Sequence, residues 1–293
     1  MKRLSARGHT AFDYVNVLLM LGVIFVMLYP IYYMAIVSIS NGTSVARGEV
    51  GFLPVKVTWK AYEIIFSDAP IVTAYKNTIV YTALGVFINL LMTSLCAYPL
   101  SRKEFYGKTF FSLFVVFTMF FDGGMIPRFL VVNGLGMLDT MWAIVIPTAI
   151  NVFYMMMMRT FFQAIPEALH ESAFIDGAND WTVFRKVVIP LSAPLLATMT
   201  LFYAVSHWNS YFPALIYLND NTLYPIQIIL RNIVIQGDVA SQSTETNGVM
   251  GTLVVDQNIK YAVVIIAILP ILLLYPFLQK YFVKGAMVGS LKG

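Results

Sequence analysis

Apolar positions in this chain are massed in blocks, with little of the spacing that marks a half-buried strand or helix. Tyr14 to Ser40 and Asn77 to Leu100 each run without a charged residue. Further blocks begin at Thr109, Met141, Ala193 and Tyr261. A helix that is apolar on all sides is either buried in a large core or spans a membrane. Roughly 20 apolar residues are needed to cross the hydrocarbon layer. The pattern predicts an all-α integral membrane protein with six spans, at about 14–40, 73–100, 109–131, 140–162, 193–218 and 260–283. The whole of 1–293 is expected to form one transmembrane domain. The first block is too long for the apolar core of a signal peptide and lacks a small-residue cleavage site, so it is expected to be retained.

Composition agrees: 59% of residues are hydrophobic and only 12% are charged, about half the charge fraction of ordinary globular domains. Charge placement gives an orientation. Twelve of the nineteen basic residues fall before the first span, after the second, after the fourth and after the sixth. The other seven, including Arg47, Lys60, Arg128, Arg231 and Lys260, fall on the opposite side. The positive-inside rule then puts both termini, and the connection at 164–192, in the cytoplasm. The outer side carries two sizeable connections, 41–70 and 219–258, the second with a polar centre, GDVASQSTETNG. The one cysteine, Cys96, lies within a span and reads as a packed apolar residue. No basic face is interleaved with exposed aromatics, so a nucleic-acid partner has no support.

No catalytic or metal-binding constellation stands out. His9, His170 and His207 are far apart in sequence and lack metal-ligand spacing. Gly107-Lys108-Thr109 resembles the end of a phosphate-binding loop, but Arg102 occupies the position of the required first glycine. Any ATP used with this protein would be bound by another chain. An ion-coupled secondary transporter is the alternative reading. It calls for ionisable residues inside the spans, and these spans have almost none.

Against this background EALHESAFIDGAND, residues 167–180, is conspicuously polar. Pro166 suits a first helical turn and Glu167 the positive end of a helix dipole. Ile165, Leu169 and Ala173 fall four apart and predict one apolar face, with Glu167 and Glu171 on another. Gly177 would end the helix in the left-handed conformation. Asn179 or Asp180 would cap a second helix, and Pro190 and Pro194 mark the exit into the fifth span. The result is a short helix, a turn and a second short helix at the cytoplasmic surface. Such a hairpin is either a solvated surface element or a docking element for a cytoplasmic partner.

The stretch ESAFIDGAND…FRKVVIPLSAP resembles the EAA loop of ABC-importer permeases. Glu171-Ser172-Ala173 stands for E-A-A, Asp176-Gly177-Ala178 for the following D-G-A, and Ile189-Pro190 for the end of the motif. Serine replaces the first alanine, and the leucine usual before the proline is missing. GGMIPRFLVVNGLGMLDTMWAIVIP, FYAVSHWNSYFPALIYL and YPFLQKYFVKGAMVGSLKG are similar to carbohydrate-importer permeases of the maltose-system type. Within the oligosaccharide branch they resemble the second permease subunits of bacterial alginate importers.

The resemblance implies a type I ABC-importer permease fold in a bacterial inner membrane. It implies a second, homologous permease as partner, two copies of an ABC ATPase that bind ATP and Mg, and a periplasmic or extracellular sugar-binding protein. The chain itself would bind no cofactor and catalyse no reaction. Glu167, Glu171, Ser172, Ala173, Asp176, Gly177 and Ala178 are expected to meet the ATPase, with Glu171 pairing to cations and Ser172 and Ala173 admitting close contact. Polar residues within the spans, namely Asn89, Asn151, His207, Trp208, Asn209 and Tyr211, are candidates for the sugar path or for helix–helix contact. The Met155–Met158 run is expected to be packing.

Overall fold

The computed structural model describes residues 11–239 and 257–290, and every regular element among them is helical. The amino-terminal basic tail, residues 240–256 of the outer connection and the last three residues lie outside the described residues. α1 (Ala11–Ser38) and α4 (Ala69–Ser101) are 28 and 33 residues long. At 1.5 Å per residue they reach about 42 and 50 Å, more than the ~30 Å hydrocarbon layer needs. Between them lie α2 (Gly42–Ala46) and α3 (Lys60–Ser67).

The third, fourth and fifth blocks are interrupted by bends or short breaks. The third block becomes α5 (Lys108–Phe120) and α6 (Met125–Gly134), with axes 114° apart. Asp122-Gly123-Gly124 makes the break. Gly124 takes φ +87°, which L side chains rarely adopt, and Asp122 Oδ1 accepts from the Gly124 amide and from Arg128, each at 3.0 Å. The fourth block is α7 (Trp142–Val145) with a 3₁₀ turn at Ile146–Thr148, then α8 (Val152–Gln163), bent by 51°. Asn151 starts α8 afresh by accepting from the Tyr154 amide at 3.1 Å. The fifth block, expected as 193–218, divides into α12 (Ala193–Trp208) and α13 (Phe212–Tyr217).

The polar connection holds α9 (Glu167–Ile175), α10 (Asp180–Val183) and α11 (Ile189–Leu191). The chain closes with α14 (Ile226–Val239) and α15 (Gln257–Ser290). Among the described residues two helices alone are long and apolar enough to cross a membrane, and counting each bent pair as one crossing gives five. Asn258–Leu274 within α15 is a shorter apolar stretch.

The residues group into two compact units, 1–68 with 232–268, and 69–231 with 269–293. The first unit is organised around the end of α1. Ser40 Oγ donates to the Ile36 carbonyl and accepts from the Val55 amide, while Asn258 donates to the Ser40 carbonyl at 3.0 Å.

The second unit is built on α4, which packs most extensively against α12 and α8. Its buried positions include Ala74, Thr78, Tyr81, Gly85, Asn89, Thr93 and Ala97, spaced three or four apart. They form one seam of mainly small or weakly polar residues, the kind that lets apolar helices approach closely. Below the seam, Met155 and Met158 of α8 are fully buried with Tyr98, Phe162, Val183, Phe184, Val188, Met199 and Tyr203. The methionine run is therefore packing on one helical face. This core also joins the polar connection to α4, α8 and α12.

Candidate functional site

The connection between α8 and α12 begins where Ala164 closes α8. Pro166 takes φ −55° and ψ 130°, an extended conformation that places it at the cap of α9, one position before the expected first turn. Gly177 has φ +81°, and the Ala178 amide donates back to the Ala173 carbonyl at 2.9 Å, which ends α9 in a left-handed turn. Asn179, rather than Asp180, caps α10 by accepting from the Thr182 amide at 2.9 Å.

After α10 the backbone widens into a π turn, Phe184–Val188, closed by the Ile189 amide donating to the Phe184 carbonyl. Pro190 explains the widening. It has no amide to give to the fourth carbonyl back, and its ring would crowd that group in an α-helix. Helix direction then changes by 79° into α12.

The faces of α9 differ from the expected ones. His170 is the buried residue, at 2% exposed, while Leu169 is 40% exposed. The inward line is Glu167, His170 and Ala173, and Ala173 and Ala178 pack onto the core. Of the expected apolar face, Ile165 and Ala173 pack on the core, Leu169 is exposed, and His170 takes the buried place. Burial and the Arg102 guanidinium lower the His170 pKa from its ordinary value, against the opposing pull of the Pro166 carbonyl, Glu167 and Glu104.

The exposed line is Ala168, Glu171, Ser172 and Ile175, at i, i+3, i+4 and i+7. Ile175 is 85% exposed, and Phe174 and Trp181 are exposed beside it. Asp176 and Gly177 are exposed at the turn. The seven residues expected to meet a partner therefore divide. Glu171, Ser172, Asp176 and Gly177 face outward, whereas Glu167, Ala173 and Ala178 are engaged within the chain. Glu167 Oε1 lies 3.0 Å from Arg102.

The reading from sequence missed Ile175, Phe174 and Trp181 by attending to the acids. The signal was a large apolar residue directly before the helix-ending Asp-Gly. A groove of about 690 Å³ is lined by Tyr98, Arg102, Phe105 and Tyr106 together with Phe174 and Trp181.

The polar residues of the spans also divide. Asn89 of α4 donates to the Thr148 carbonyl, and its Oδ1 meets His207 Nε2 of α12, both at 2.5 Å. Thr93 Oγ1 and Tyr203 OH share a 2.7 Å hydrogen bond one turn further along. Asn151 caps α8 with its side chain, and Trp208 is buried edge-on to Tyr75 at 5.7 Å. Asn89, His207 and Trp208 thus lie in helix–helix contacts, while Asn151 is exposed at the start of its own helix. Asn209, which donates to the Val205 carbonyl, and Tyr211, at 42% exposed, remain at the surface just beyond α12.

On what is expected to be the outer side, Asp139 is bonded by the Asn219 amide and side chain and by the Asp220 amide. Those hydrogen bonds, Asn219 first, hold its carboxyl below the ordinary value. Asn77 and Tyr81 of α4 donate to the Thr222, Tyr224 and Leu223 carbonyls. The segment from 217 to 226 is thereby tied both to the turn before α7 and to α4.

Comparison with known proteins supplies the family. Residues 69–288 match the family described as binding-protein-dependent transport system inner membrane component. The polygalacturonan/rhamnogalacturonan transport system permease protein YtcP of Bacillus subtilis (strain 168) is 43% identical, over 94% of this chain and 96% of its own. Protein LplC of the same organism is 40% identical over 99% of this chain and 97% of its own.

A crystal structure of a bacterial ABC transporter involved in the import of the acidic polysaccharide alginate contains a chain similar to this one. It superposes with a TM-score of 0.86 at 36% identity, covering 94% of this chain and all of that one. A polar hairpin set between apolar helices fits a component that moves in a membrane under a motor supplied by another chain. This chain belongs to the family of binding-protein-dependent transport system inner membrane components.

Proposed function

We propose that this protein is the permease subunit of an ATP-driven importer for an oligo- or polysaccharide, with acidic, uronate-containing chains as the favoured class. Two relatives at 43% and 36% identity support that class: one is a permease for polygalacturonan and rhamnogalacturonan, and the other belongs to an alginate importer.

Six membrane crossings, with both termini in the cytoplasm, form one permease domain. A second, homologous permease completes the path. Two ATPase chains, which hold ATP and Mg, dock on the polar loop, and a binding protein delivers the sugar from outside. The outward line of α9 carries the docking reading: Ala168, Glu171, Ser172 and Ile175 form an exposed stripe with an apolar anchor and a carboxylate.

Closure of the ATPases on ATP shifts this helix and with it the two permeases between inward- and outward-facing states. The shift requires that ATP-bound and ATP-free motors hold the loop differently, since a contact equal in both states moves nothing. Near the outer end of α12, Asn209 and Tyr211 are the polar groups left free to meet sugar.

The test is import by the assembled complex in proteoliposomes. ATP-dependent uptake of oligogalacturonate or oligoalginate, abolished by Glu171→Lys or Ile175→Glu in complexes that retain the second permease, is the expected result. Uptake driven by an ion gradient without ATP, or normal stimulated hydrolysis in both variants, refutes it.

A further inference from the structure

We propose that Arg102 is a positioning residue of the transport cycle: it is the strut that passes movement of α9 to the central helix α4. The inference rests on the reading of α9 as the docked element.

α4 runs unbroken from Ala69 to Ser101, so its last turn lies directly before Arg102. The Arg102 side chain is only 14% exposed and spans two carboxylates, Glu167 at 3.0 Å and Glu104 at 3.4 Å. Glu167 is the first residue of α9, so this ion pair ties the last turn of α4 to the first turn of the docking helix. His170, one turn further along α9, is buried, so the same side of the helix is turned inward.

The end of α4 is held from two other directions as well. Arg159 of α8 donates to the Leu100 carbonyl at 3.0 Å, and Lys108 of α5 to the Ser101 carbonyl at 3.5 Å. Three cations from three segments thus converge on the carboxyl end of one helix, where cations are favoured.

A second, apolar path runs from α9 into the spans through Ala173 and Ala178, which pack on the core shared with α4, α8 and α12. At the start of α9 the chain leaves helical geometry at Pro166, and at its end it turns through Gly177 with positive φ. Both are places where a helix can pivot. A groove lined by Arg102, Phe105 and Tyr106 and by Phe174 and Trp181 lies alongside. Arg102 bridges beside that groove. A planar guanidinium can serve two carboxylates at once in a fixed direction, which an ammonium on a flexible stem does not do. What reaches α4 here is delivered to the helix that carries Asn89 and Thr93 against α12.

The experiment uses the full complex in proteoliposomes and reads sugar imported per ATP hydrolysed for Arg102→Gln, Glu167→Gln and the double variant. The expected result is assembled complex, retained hydrolysis, and a several-fold fall in sugar per ATP in each single variant. The double variant should be no worse than the worse single, and Arg102→Lys should recover only part of the loss.

A merely structural role would lower the yield of complex and scale import and hydrolysis together, leaving the ratio unchanged. An unchanged ratio, or losses that add in full in the double variant, overturns the proposal. Should Arg102→Gln not assemble, Glu167→Gln decides by the same ratio. Failure of the docking reading is distinguishable, because it shows as normal ATPase binding by Ile175→Glu whatever the ratio does.

Discussion

A methyl group at position 85 would sit 2.5 Å from the His207 ring, closer than real side-chain contacts come. Gly85 therefore matters for space, since it lets α12 press its histidine onto α4. Gly177 matters for a different reason. Nothing lies within 4 Å of a Cβ there, but its φ of +81° strains any L side chain. Gly85→Ala is expected to lower the stability of the purified permease by about 1–3 kcal/mol, as overpacking does. Thermal unfolding should show it, and an unchanged transition would mean that His207 simply swings away. Gly177 could be read from the sequence because its polar surroundings announced a turn. Gly85 could not, because a block that is apolar on every side does not say which face meets a neighbour. For the same reason the sequence leaves Asn89 and His207 open between a sugar path and helix–helix contact, and their contact with each other appears only in the fold.

α9 shows how far periodicity carries at the scale of an element. Its limits, its glycine stop and the capping asparagine followed from local chemistry. The facing differed at Leu169, which the pattern put inside, while His170 took the buried place. That burial has a pH signature. The folded pKa of His170 lies below its ordinary 6.5, so the fold prefers the neutral ring. The contribution is fully present above 6.5 and is lost as the pH falls below that value and through the lower folded pKa. Protection of the α9 amides, after correction for the intrinsic exchange rate, should therefore fall as the pH drops below 6.5, and His170→Gln should flatten that dependence. Equal pH dependence in both proteins would separate the effect from His170. The interrupted third and fifth blocks teach the complementary lesson. Asp122-Gly123-Gly124 and Asn209-Ser210 are short breaks that total hydropathy overrides and that local geometry obeys.

At the scale of the whole molecule the proposed topology makes opposite predictions for two loops. With Cys96 replaced by serine, no other cysteine remains. Asn221→Cys should react with a membrane-impermeant maleimide on intact cells, and Ser172→Cys only after permeabilisation. The reverse pattern would invert the protein in the membrane. Six blocks of apolar sequence were enough to foresee a helical membrane protein, but the bends inside them depend on prolines and glycines whose effect is set by packing.

One such bend bears on how relatives are compared. The π turn at Phe184–Val188 uses one residue more than an α-helical path through the same space. A related chain that winds ordinarily there needs one residue fewer between Asn179 and Ser192. A single-residue gap in that stretch of an alignment would then record a change of winding ahead of α12, with the docking helix before it and the span after it still in register.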